Sequence, residues 1–147
     1  MYQNRARRAF LAGVVLCAVA ALSACSFSFS TAHISALRLS KEKNGTAEVT
    51  SFGVHDPIHA FGEVSNAPGK FTVKWRLFIE KVAGEKDNSP IPSLDKQFDL
   101  PGSGTSNYDL TPGPEGWPPG KYRIEFSMLD ENDKKDEKSV SFEIGGG

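Results

Sequence analysis

Phe71-Thr72-Val73-Lys74-Trp75-Arg76-Leu77-Phe78-Ile79-Glu80 places five apolar side chains on one side of an extended chain. Thr72, Lys74, Arg76, Phe78 and Glu80 fall on the other. A period of two marks a strand with one buried face, because successive side chains of an extended backbone point to opposite sides. The same period recurs in Tyr122-Ile124-Phe126-Met128, alternating with Lys121, Arg123, Glu125 and Ser127, and again in Val140-Phe142-Ile144. Residues 130–138 lie between these two and are polar enough to read as a solvated hairpin loop. Weaker strands are expected at 34–39 and 47–52, joined by the hairpin dipeptide Asn44-Gly45. Further strands are expected at 58–64, after Asp56-Pro57, and at 94–100 and 106–110. Proline and glycine gather between them, as turn chemistry requires. No window carries a helical period and no internal repeat is present. Seven to eight short strands at this spacing predict an all-β class, a single β-sandwich over residues 32–147.

Two features resemble immunoglobulin-like and fibronectin-like domains. Trp75 sits in a central strand, where such domains often fill the core with a Trp. Gly116-Trp117-Pro118-Pro119-Gly120-Lys121-Tyr122 opens the penultimate strand in the manner of a Pro-Gly-x-Tyr corner. The resemblance implies that the Tyr122 hydroxyl ties the corner down. The paired core cysteines of antibody domains are missing, so the similarity is to the architecture.

The N-terminus has another character. Residues 1–8 carry Arg5, Arg7 and Arg8 and no acid, and residues 10–22 (FLAGVVLCAVAAL) are apolar. That run is shorter than the roughly 20 residues a permanent bilayer span needs. A basic stretch, a short apolar run and small residues beside a cut make a signal peptide. Leu22-Ser23-Ala24-Cys25 resembles the lipobox of bacterial lipoproteins. This implies removal of residues 1–24, alkylation of the Cys25 thiol by diacylglycerol, and acylation such as palmitate on the new amine. Two or more acyl chains hold a protein firmly at a membrane, where one alone is marginal. Ser26 in place of an Asp-type retention signal favours the cell outer membrane, with the inner membrane or a Gram-positive surface as alternatives. Arg7-Arg8-Ala9-Phe10-Leu11 also resembles the twin-arginine export motif, although Ala6 stands where that family has Ser or Thr. An arginine pair in an ordinary export leader is the other reading.

Cleavage leaves 123 of the 147 residues, enough for one domain. Subtracting the three leader arginines from 17 Lys and Arg leaves 14 against 18 acids, a formal net charge of −4. That balance argues against nucleic acid as a partner. Of the two cysteines, Cys17 leaves with the leader and Cys25 is modified, so no disulfide is expected in the domain. Residues 25–31 form a short tether in which Phe27 and Phe29 either dip into the membrane interface or begin the first strand.

Candidate chemistry is sparse. His55-Asp56-Pro57-Ile58-His59 holds two imidazoles and a carboxylate, which would chelate a metal from a helix. Pro57 and the strand pattern oppose a helix, and in an extended chain the two rings stand about 13 Å apart. His33 could join them only if its strand ran alongside. Exposed histidines at a strand entry are the plainer reading, and no cofactor is expected. No Ser lies in a Gly-x-Ser-x-Gly elbow, and Lys135 occupies the glycine position of a calcium loop that would start at Asp130. A non-catalytic protein is therefore expected. Trp117 in a Pro/Gly loop, Tyr108 on a weak strand and Phe78 on the polar side of its strand are the candidates for ligand or partner contact. They suit either an envelope protein partner or stacking on the sugar rings of a glycan such as peptidoglycan. Trp117 as a lid over the end of the sandwich is the alternative.

Overall fold

In the computed structural model, which describes residues 31–145, the alternating segment that begins at Phe71 is the central strand of a two-sheet sandwich. The leader, Cys25, Phe27 and Phe29 lie outside the described residues. The smaller sheet has the antiparallel order β1-β3-β7, formed by β1 (His33–Ser40), β3 (Ile58–Ser65) and β7 (Gly104–Leu110). The larger sheet runs β2 (Ser51–Gly53), β9 (Asp133–Gly145), β8 (Gly120–Asp130) and β4 (Phe71–Val82). The far edge of β4 is shared by β5 (Ser89–Pro90) and β6 (Lys96–Leu100), each paired with a different half of it. A single 3-10 turn, Pro92–Leu94, precedes β6, and there is no α-helix among the described residues. The expectation of an all-β sandwich holds, with nine strands of which two are very short.

Strand order identifies the type. β1-β3-β7 facing β4-β8-β9 reproduces the A-B-E and C-F-G sheets of an immunoglobulin-like domain, without the strand D that normally borders E. Both features of the resemblance hold. Trp75 is fully buried, stacks on Phe126 at 4.2 Å and Tyr108 at 5.4 Å between centroids, and donates its indole N–H to Ser106 Oγ at 2.9 Å. The Tyr122 hydroxyl donates to the Pro118 carbonyl at 2.7 Å, closing the corner before β8. Burial of both large side chains is the main stabilising term here, at roughly 1.5–3 kcal/mol for each fully buried aromatic. Gly62 on β3 is required by close packing: a Cβ there would stand 2.4 Å from the Phe126 ring.

Two local expectations were wrong. Asn44-Gly45 does turn the chain, with Asn44 at φ 65° and Gly45 N–H donating to the Glu42 carbonyl. The chain then crosses to the other sheet, so residues 47–50 are not a strand, and β2 pairs parallel with β9 rather than with β1. A turn dipeptide specifies a bend, and the partner is chosen by where apolar side chains can be buried; Phe52 is the only large one in residues 41–53 besides the half-buried Val49. Residues 130–138, read as a loop, are mostly ladder. β8 and β9 continue past the core to a two-residue turn at Glu131 and Asn132, both at positive φ as a primed hairpin turn requires. These outlying ladder residues bury almost nothing, which is why they carry no apolar alternation.

Candidate functional site

The contact candidates fall in three separate places. Tyr108, on β7, is fully buried against Trp75, and its hydroxyl donates to the Leu94 carbonyl at 2.6 Å. Burial pushes the Tyr108 phenol well above its usual value, with a further contribution from Asp95. An inward-facing ring with both its face and its hydroxyl engaged cannot stack on a ligand, so the expected role of Tyr108 in contact is corrected to a core role. The misleading signal was Ser106: a polar residue at an inward position breaks the alternation of β7, yet it faces inward to accept the Trp75 N–H.

Phe78 lies on the outer face of the large sheet but is only 8% exposed. The guanidinium of Arg76 sits 4.7 Å from its ring centroid, and that of Arg123, from the neighbouring strand, 4.6 Å. Both cations are themselves paired: Arg76 Nε is 3.5 Å from Asp95, and Arg123 reaches Glu125 at 3.1 Å and Glu80 at 3.5 Å. Glu80 also accepts from Ser141 Oγ at 2.6 Å, beside a shallow polar cleft of about 360 Å³ lined by Thr50, Ser51, Lys121 and Glu143. The ring is thus the apolar centre of a cross-strand charge lattice.

Trp117 stands at one end of the sandwich, half-buried against the edge of the core. Its backbone N–H donates to Val54 at 2.7 Å and its indole N–H to Asp56 at 3.0 Å. Gly116 makes this approach possible, since at φ 78° a Cβ would lie 2.6 Å from the Val54 carbonyl. The turn receiving Trp117 is held in its own right by Asp56, which accepts from Gly53 N–H at 2.7 Å and pairs with Lys41 at 3.0 Å. Those contacts, the Gly53 bond first and the Lys41 bond next, hold the Asp56 carboxyl below its usual range. Trp117 therefore clasps two loops together and leaves only part of its indole open.

The histidines do not converge. His55 is exposed in the turn after β2, and His59 on β3 lies 2.7 Å from Asp109 of β7. His33 pairs with Ser65 at the far end of the same ladder, roughly 20 Å away along the strand. Among the described residues no three His, Cys, Asp or Glu side chains gather in a group that could hold a metal ion.

Phe98 is not among the contact candidates read from the sequence. It is the one large apolar side chain more than a third exposed among the described residues, at 41%. Phe98 pairs with Val73, so it belongs to the inner face of the large sheet, beyond the margin of the small one. The signal that could have found it is the strand count on each side of the core.

No protein-family model matches the chain, and no curated protein matches it in sequence. Its fold is similar to part of a mutant β-glucosidase from Listeria innocua in complex with laminaribiose, at 15% identity and a TM-score of 0.50. That match covers 82% of this chain and only 17% of the glucosidase. The alkylpurine DNA glycosylase AlkC of Pseudomonas fluorescens aligns over 78% of this chain and 30% of its own at 15% identity, TM-score 0.49. The soluble domain of PmoD from a Methylocystis species aligns over 81% and 94% at 11% identity, TM-score 0.46. The first likeness concerns fold alone, and the other two, with TM-scores under 0.5, carry no argument.

Proposed function

We propose that this chain is a lipid-anchored, non-catalytic envelope lipoprotein whose immunoglobulin-like domain makes protein–protein contact. The observation that carries the reading is Leu22-Ser23-Ala24-Cys25 at the end of a basic and then apolar leader, eight residues ahead of the first strand at His33. Anchoring there joins a single acidic sandwich to the bilayer, to the outer membrane in a Gram-negative cell, by a tether that reaches about 20–25 Å when extended. Within the sandwich, β1 starts at the end opposite the turn that Trp117 contacts. A glycan-binding module is the second reading. With Tyr108 in the core it retains Trp117 as its stacking residue, and binding on a glycan array abolished by Trp117→Ala in a folded protein would select it.

The anchor is tested by Cys25→Ala. Wild-type protein should be processed and labelled by a palmitate analogue, and the variant should persist as unlabelled precursor. Processing and labelling of the variant like wild type would overturn the anchor. Contact is tested by crosslinking in intact cells, in which one envelope protein should be recovered at wild-type expression; recovery of none would count against the reading.

A further inference from the structure

The two sheets are unequal, and the inequality is local. Across the core, β1 lies over β9, Gly62 of β3 over Phe126 of β8, and Tyr108 of β7 over Trp75 of β4. The next strand of the large sheet beyond β4 is β6, and among the described residues no strand faces it. The 3-10 turn covers the region beside Tyr108, through the hydroxyl bond to Leu94. The stretch left uncovered is bounded by Phe98 on β6 and by the Gly104–Asn107 half of β7. This is the place of strand D in the full immunoglobulin-like sheet.

The edges differ in how they are defended against pairing. β1 carries a bulge between Ile34 and Ala36, and the Asp136 carboxylate caps the Ile34 N–H at 2.8 Å. β2 has three residues, β5 has two with Pro90, and β6 is short, bears Lys96 and runs into Pro101. β7 has seven residues with no bulge, no proline and no basic side chain, and among the described residues it pairs with β3 alone. An edge of that kind is a template for another strand.

We propose that the Gly104–Asn107 edge of β7 is a strand-addition site that takes an extended segment of a partner protein, with an apolar side chain over Phe98 and a carboxylate two residues away on Lys96. The charge requirement follows from the register. Lys96 shares the inner side with Phe98 and is exposed; like Lys43, Lys81, Lys86, Lys135 and Lys138 it makes no ion pair among the described residues, and what sets it apart is its place beside Phe98 on the inner side. Main-chain hydrogen bonds to β7 supply affinity, and the Phe98–Lys96 pair supplies specificity. This rests on the protein-contact reading and names its surface and the chemistry of its partner.

The test uses the full-length protein in detergent micelles with two synthetic peptides, Thr-Val-Thr-Val-Thr-Glu-Thr and the same sequence with Lys in place of Glu. The Glu peptide should slow amide exchange at residues 104–107 and bind wild type at least tenfold more tightly than the Lys peptide. Lys96→Glu should reverse that order, and Phe98→Ser should weaken the Glu peptide about tenfold; both positions are exposed, so both variants should fold. N-methylation of alternate peptide amides along one edge should abolish binding. Absence of protection at 104–107, an unchanged order in Lys96→Glu, or protection that rises with protein concentration alone (a second copy on the edge) would each overturn the site. An envelope partner crosslinked through another surface would remove the site and leave the contact reading standing. Peptide binding with no partner in cells would do the reverse.

Discussion

The two faces of β4 differ in what they are made of and in how they hold an aromatic ring. On the inner face Trp75 is enclosed by Phe126 and Tyr108, and its only polar atom is bonded to Ser106. On the outer face Phe78 is also buried, though not fully, beneath two guanidiniums whose charges are met by Asp95, Glu80 and Glu125. Burial alone thus does not distinguish core from surface in this sandwich. The inner ring is stabilised by loss of water from apolar area, and the outer by amphipathic stems and cation–π contact.

Substitution should separate the two. The largest effect is expected for Trp75→Ala, which opens a cavity under Phe126 and Tyr108 and strands the Ser106 hydroxyl; about 3–5 kcal/mol of stability should be lost in denaturant unfolding. Equal stability of this variant and wild type would break the comparison at its inner side. Phe78→Ala should cost less, about 1–3 kcal/mol, because Arg76 and Arg123 can relax into solvent once the ring is gone. A loss matching that of Trp75→Ala would show that the outer face is a second core.

A smaller effect marks the end of the inner face. Tyr122→Phe removes the bond to the Pro118 carbonyl and should cost about 1 kcal/mol. The Tyr122 and Tyr108 phenols are both raised, chiefly by burial, so the fold favours their neutral forms. That contribution is complete below the unfolded value near 10 and is lost as pH rises through the folded values. Absorbance titration should therefore show both ionising late and together with unfolding; a midpoint at the free-tyrosine value in folded protein would contradict their burial. The smallest effect is expected at Asp56, whose lowered carboxyl works in the opposite direction. Its contribution is present above the unfolded value near 4 and fades as pH falls through the lower folded one. Asp56→Asn should lower stability slightly at neutral pH, converge with wild type at the acid end and so flatten the acid limb of the profile, and raise the fluorescence mobility of Trp117.

The inner face of β4 was legible in the sequence because alternation and burial coincide over Phe71, Val73, Trp75 and Leu77. Tyr122 was legible through its turn. The outer lattice was not: Arg76 and Phe78 are two apart on one strand, but Arg123 arrives from β8 by a pairing that no local pattern announces. Tyr108 was misplaced because inward Ser106 disguised its strand, and the β8–β9 tip because a ladder beyond the core has no buried side to reveal it. The candidate site was the least legible part. Phe98 becomes informative only when three strands are seen to face six.

The central claim is that this sandwich works at a membrane, held by Cys25. Intact mass measurement of the protein extracted from the membrane fraction tests it most directly. The mature chain should begin at Cys25 and carry the added mass of a diacylglyceryl group with a further acyl chain on the amine. An unmodified chain, or one that still begins at Met1, would contradict it.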